Sequence, residues 1–189
     1  MENTNVPASQ QETKLPTLNQ IINGELPEQV KQAQLTVLLN QEPPKQWLKK
    51  HPFASGVTYL PIDKVEYLLT SIFMDWWPEV IEIKLIANSV NCTIRLHYRN
   101  PITQEWRQVD GVGACPLQVN AGEKASDFDK IKSDAVMKAS PAAKSYAIKD
   151  AAECLGRLFG KDLNRKDLIG YEKIANPERF KNAKITEKG

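Results

Sequence analysis

VIEIKLI at residues 80–86 and VNCTIRLHY at residues 90–98 decide the fold. In both, apolar side chains alternate with polar ones, the period of a strand with one packed face and one wet face. In the second, Cys92, Ile94, Leu96 and Tyr98 share a face. Asn88-Ser89 makes a tight connection between them, too short for the crossover a parallel pair requires. RNPITQEW at residues 99–106 is the next turn, and WRQVDGVGACPLQV at residues 106–119 is a third strand, loosened by Gly111 and Gly113. Three sequential strands joined by short turns form an antiparallel meander.

Working upstream, IDKVEYLLTSIF at residues 62–73 repeats its apolar side chains at helical spacing, with Pro61 placed to open the helix. Pro78 marks a break after Trp76 and Trp77. VTYL before Pro61 is a short strand. PPKQWLKKHP at residues 43–52 predicts a short helix, and residues 27–40 predict another. Downstream, SDFDKIKSDAVMKA at residues 126–139 predicts a helix with Ser126 as its N-cap and Asp127 and Asp129 in its first turn. Pro141 starts a second helix, residues 142–160. Ala147, Ile148, Ala151, Ala152, Leu155, Leu158 and Phe159 fall on one side of it, with Tyr146, Lys149, Glu153 and Arg157 opposite. Its small apolar residues let it press close to the sheet. The expected fold class is α+β: three main strands and a short one, packed on a long C-terminal helix. Residues 1–16 read as a disordered tail, residues 17–170 as one domain, and residues 171–189 as a polar, basic tail.

A chain of 189 residues is long enough to bury a core without disulfide or metal staples. No apolar run approaches a membrane span, and the polar start MENTNVPASQQETK is no signal peptide, so a cytoplasmic protein is expected. The formal net charge is only +2, but it is unevenly spread. Residues 1–129 carry 11 Lys/Arg against 15 Asp/Glu, and residues 130–189 carry 14 against 8. A basic C-terminal third points to an anionic partner or to a solubilising tail. Three cysteines without CxxC spacing and two histidines, His51 and His97, argue against a disulfide framework, a zinc site and a histidine triad. Asp110, Asp127 and Asp129 lack the spacing of a metal site. There is no P-loop, GxGxxG, HExxH or GxSxG pattern. The expectation is therefore no enzyme, no cofactor and no metal.

YLPIDKVEYLLTSIFMDWW (residues 59–77), the meander, DGVGA (110–114) and IKDAAECLGRLFGK (148–161) come in an order and spacing that resemble the Rad-fifty-two family of single-strand annealing proteins. WLKK at residues 47–50 is similar to a segment ahead of the core in phage members. The resemblance covers about residues 45–165. It implies a β–β–β–α core, assembly into rings or filaments, and single-stranded DNA held in a positive groove and annealed without ATP. It also implies a role in homologous recombination and DNA repair. The setting would be a bacterial or phage-infected cell, with a nuclease or single-strand binding protein as companion. Lys64 sits where the family places a basic groove residue, and Lys149 where it has the first member of a Lys-Arg pair. The second member is Asp150 here, and the next basic position is Glu153. Arg157 and Lys161, one and two turns on, can compensate. Gly111 and Gly113 match the family's glycines at the end of the third strand.

Each of these residues also has a plain structural reading. Lys149, Glu153 and Arg157, spaced i, i+4 and i+8, are either a surface ion-pair ladder or part of a phosphate groove. Lys132 and Lys144 are either solvated or phosphate-binding, as are Arg99 and Arg107 beside their turn. Trp76 and Trp77 either plug the core or stack bases. Tyr146, on a polar helix face, points to an interface or a DNA contact. The alternative to annealing is an oligomeric interaction module whose basic tail recruits an acidic partner.

Overall fold

Thr17 starts the described chain with a capping box. Its hydroxyl accepts from the Gln20 N–H, and the Gln20 side chain accepts from the Thr17 N–H, which opens the short helix α1 (Leu18–Asn23). The sequence patterns above did not mark this helix. The structure, a computed structural model, describes residues 16–51, 55–124 and 126–165. The tails at residues 1–15 and 166–189, including the basic segment from residue 171, lie outside the described residues.

Helix α2 (Glu28–Leu39) follows Pro27. The expected helix at residues 43–52 is instead a single 3-10 turn at Lys45–Trp47 and a strand, β1 (Lys49–Lys50). β1 pairs antiparallel with β2 (Thr58–Tyr59). The pairing diverts Lys49 and Lys50 out of the helical run that their propensity favours. Helix α3 (Ile62–Phe73) then buries Val65, Leu68, Leu69, Ile72 and Phe73.

The three-strand sheet has the order β3 (Trp76–Ile86), β4 (Ser89–Arg99), β5 (Trp106–Pro116), antiparallel throughout. Val90, Cys92, Ile94 and Leu96 of β4 alternate into the core. Two expectations need correction. Pro78 does not break the chain; β3 runs through it, paired with Leu96. An edge strand tolerates a proline because one side of its backbone has no partner to serve. The β3–β4 turn is Ala87–Asn88 rather than Asn88-Ser89, because Ser89 already pairs with Ile86. Ala87 takes the left-handed backbone conformation (φ 51°) that such a tight turn demands. The β4–β5 connection folds around Asn100, which is buried yet fully bonded. Its Oδ1 accepts from the Ile102 and Thr103 N–H groups, and its Nδ2 donates to Gln32 of α2.

After β5, a 3-10 turn at Phe128–Lys130 and a bridge between Val119 and Ile131 replace the first part of the helix expected at residues 126–139, so Ser126 caps nothing; residues 135–139 are helical, but as the start of the next helix. One helix, α4 (Ala135–Glu153), then runs straight through Pro141. Proline removes one backbone bond inside a helix. Here α4 is held by its packing. Ala135, Ala139, Ala143, Ala147 and Ala151 recur every fourth residue, all buried, and α4 lies along β5 and β4. A Cβ placed on Gly113 would meet the backbone of Ala143, Ala147 and Tyr146, the last at 2.8 Å. One on Gly111 would come within 2.6 Å of the Ala151 nitrogen. The two glycines therefore do not loosen β5; they let helix backbone rest on strand backbone.

The expected end of the helix at residue 160 is replaced by a stop at Glu153 and a 3-10 turn at Arg157–Phe159. Gly156 between them has φ 149°, and a Cβ there would collide with Leu39 at the end of α2. Phe159 is fully buried, and its ring stacks on Phe73 at 6.3 Å. α4 barely reaches β3. Val80, Ile83 and Leu85 oppose core residues of β4, yet they stay about half exposed, as do Ile81 at a bulge and Ile86. The expected half-buried strand is thus open on both faces. No helix among the described residues is long and apolar enough to cross a membrane.

Candidate nucleic-acid interface

The small β1–β2 hairpin gathers the basic side chains. Tyr59 of β2 pairs with Lys49, and the Lys149 ammonium of α4 lies over the Tyr59 ring, 4.8 Å from its centre. Just ahead of the hairpin, the Lys64 ammonium sits 5.8 Å from the Trp47 ring, and Trp47 stands edge-on to Tyr67 at 5.8 Å. Lys64 also pairs with Asp63 at 3.2 Å, and the positive charge of Lys49 reaches the same carboxylate. Hydrogen bonding to Lys64 holds Asp63 below the usual carboxylate range. Lys64 and Lys149, distant in sequence, thus contact the hairpin and the turn that leads into it.

The hairpin is tied to the chain beyond α4. The Asn164 side chain accepts from the Thr58 N–H (2.8 Å) and donates to the Thr58 carbonyl (2.9 Å), imitating a third strand. Arg157 reaches back to Glu42 at 2.8 Å. A cleft of about 200 Å³ opens here, with Lys45, Arg157, Lys161 and Arg165 on its walls beside the carboxylates of Glu42 and Asp162. Of the site residues expected from sequence, Lys64, Lys149, Arg157 and Lys161 come together around this hairpin. Lys45, Lys49, Lys50 and Arg165 join them and were not singled out. The WLKK segment was the available signal for two of them.

Lys149 is half-buried, and burial pushes its ammonium below the ordinary lysine range, an effect that Glu153 opposes. Burial likewise lifts Glu153 above the usual carboxylate range; Lys149 pulls it down, while Asp150 and Asp162 push it up. Asp150, the departure from the basic pair, has a structural task. Its Oδ2 accepts from the Val112 N–H at 2.9 Å, closing a backbone donor on the free edge of β5. Asp150→Asn keeps a carbonyl acceptor there and removes the charge. It is expected to change stability by less than about 1 kcal/mol, whereas Asp150→Ala costs about 1 kcal/mol in urea unfolding by deleting the bond.

The remaining candidate residues lie elsewhere. Arg99 is held by Asp75 at 3.5 Å and by the Gln104 carbonyl, and Arg107 by Glu105 at 3.4 Å. Lys132 and Lys144 are exposed ahead of and along α4, and Tyr146 is exposed on the same helix. The Trp76 indole donates to Thr70 at 3.0 Å and packs on the core, so it braces β3 against α3. Trp77 points the other way, onto the open sheet face, where it stacks on His97 (4.8 Å, 13°) and meets Trp106 at 4.7 Å. Glu79 bonds the His97 ring at 2.8 Å, and Arg95 forms a two-armed pair with Asp110 at 2.8 and 3.0 Å. Trp106 was missed because only the β3–β4–β5 register brings it beside Trp77. Cys154 is exposed. Among the described residues no cluster of His, Cys, Asp or Glu is arranged to hold a metal. No protein-family model matches the chain, and no curated protein matches its sequence.

Proposed function

We propose that the protein binds single-stranded DNA through its sugar–phosphate backbone and anneals complementary strands without ATP, in homologous recombination and DNA repair. The observation that carries this reading is the cations gathered at the β1–β2 hairpin and the cleft beside it: Lys45, Lys49, Lys50, Lys64, Lys149, Arg157, Lys161 and Arg165. Lysine grips phosphate as a mobile point charge without sequence preference. A strand held that way keeps its bases free to pair. The resemblance of residues 45–165 to the Rad-fifty-two family supports the same activity, and with it a phage origin and a companion nuclease or single-strand binding protein. Trp77 and Trp106, both about half exposed, offer a stacking surface on the open sheet face.

Self-assembly belongs to the proposal, and β3 supports it. An edge strand with a free backbone rim and five half-exposed aliphatic side chains is suited to a second copy. The same strand favours the second reading, an assembly module without DNA. One experiment separates them: annealing of complementary oligonucleotides without ATP at two salt concentrations, with sedimentation of the same samples. Annealing faster than the protein-free control, with affinity falling steeply as salt rises, is expected. Oligomers that leave the annealing rate at the control value would establish the module reading instead.

A further inference from the structure

The cleft beyond the hairpin is lined by four cations, Lys45, Arg157, Lys161 and Arg165, against two carboxylates, Glu42 and Asp162, a formal excess of two positive charges. Arg157 donates to Glu42, and Arg165 lies within ion-pair distance of Asp162, at 2.8 Å; both carboxylates also line the cleft. Each guanidinium has five donors, so both keep N–H groups free for a ligand. Lys45 and Lys161, on the same walls, have no carboxylate within ion-pair distance among the described residues. The walls are braced as a built site is: Asn164 locks the β2 side, the Arg157–Glu42 pair locks the loop after α2, and Gly156 seats the chain against Leu39.

We propose that this cleft binds a phosphate monoester, the group at the end of a nucleic-acid strand or on a small phosphorylated molecule. A monoester carries a charge of about −1.5 to −2 at pH 7, where a backbone diester carries one. The cleft's two unpaired lysines and the free N–H groups of its two arginines exceed Glu42 and Asp162 by two charges around about 200 Å³, which matches that compact double charge. A water occupies about 30 Å³ of liquid, so about 200 Å³ has room for the five heavy atoms of a phosphate group. The strand-end form of the proposal rests on the DNA-binding reading above; the small-molecule form does not.

The test uses the full chain. Inorganic pyrophosphate is titrated calorimetrically into wild type, a Lys45→Gln/Lys161→Gln variant and a Lys161→Glu variant, with melting curves confirming that each is folded. Binding to wild type is expected, weakened about tenfold or more in both variants, as loss of charge-assisted contacts implies. Fluorescent tetranucleotides ending in a 5′-phosphate, a 3′-phosphate or hydroxyls are then compared. A phosphate end bound about tenfold more tightly by wild type, with the preference lost in the variants, supports the strand-end source. Pyrophosphate binding without an end preference supports a small phosphorylated molecule. No pyrophosphate binding at millimolar concentration, or equal binding by the variants, overturns the site. A hydroxyl-ended oligonucleotide that fails to bind counts against the annealing proposal alone.

Discussion

Gly113→Ala is expected to cost about 3 kcal/mol of folding stability, and Gly113→Val to abolish the folded state. The added methyl has nowhere to go. It would press on the backbone of Ala143, Ala147 and Tyr146, the last at 2.8 Å, and backbone cannot rotate away as a side chain can. Urea unfolding gives the first value, and the second variant should lack near-ultraviolet dichroism. The neighbouring Val112→Ala is the control: Val112 lies on the open face, about half exposed, and should change stability by less than about 1 kcal/mol. Ala147→Gly should not rescue Gly113→Ala, because the Ala147 atom in the way is its main-chain nitrogen. Rescue would show that side-chain crowding, not backbone contact, sets the spacing.

The second large effect concerns binding. Removing Lys64 and Lys149 together should weaken single-strand affinity about a hundredfold, at roughly tenfold per phosphate contact. The slope of log affinity against log salt should fall by about 1.4, two contacts at about 0.7 each. Glu153→Gln should tighten binding by removing a negative charge beside Lys149. The lowered Lys149 pKa adds a pH signature. Binding through Lys149 is present below that pKa and is lost as pH rises through it, below the ordinary lysine value of 10.5. Across the same window the unfolded chain holds this proton and the folded one does not, so stability rises with pH there. Affinity and the Lys149 contribution to stability should therefore move in opposite directions, and Lys149→Arg should flatten the first trend. Wild-type affinity in all of these variants would place the groove elsewhere on the molecule.

Local periodicity made α3 and the meander readable. α3 matches its expected bounds, because an apolar stripe behind Pro61 permits little else, and β4 alternates into the core as its pattern requires. Errors came where tertiary contact overrode local preference. Pro141 reads as a helix start to any local rule, yet α4 passes through it because the alanine stripe is buried on both sides of it, Ala135 and Ala139 before and Ala143, Ala147 and Ala151 after. Lys49 and Lys50 read as helical until β2 pairs with them. α1 was legible in Thr17 and Gln20, a capping box, but is too short to show a period. The candidate site divides the same way. Lys64 and Lys149 could be named from motif position. Lys45 and Arg165 share a wall only because the chain after α4 returns to the loop after α2.

The glycine pair also works as a notch. Two residues along a strand advance about 6.8 Å, and four along a helix about 6.0 Å. These steps are nearly commensurate, so Gly111 meets Ala147 and Ala151 while Gly113 meets Ala143 and Ala147, like a short rack against a pinion. Sliding α4 by one residue would set a larger side chain on a glycine, so intermediate positions are closed. The place of Lys149 over Tyr59 is thus indexed from the far side of the helix, by residues that touch neither, and substitutions of the lysine itself leave that index undisturbed.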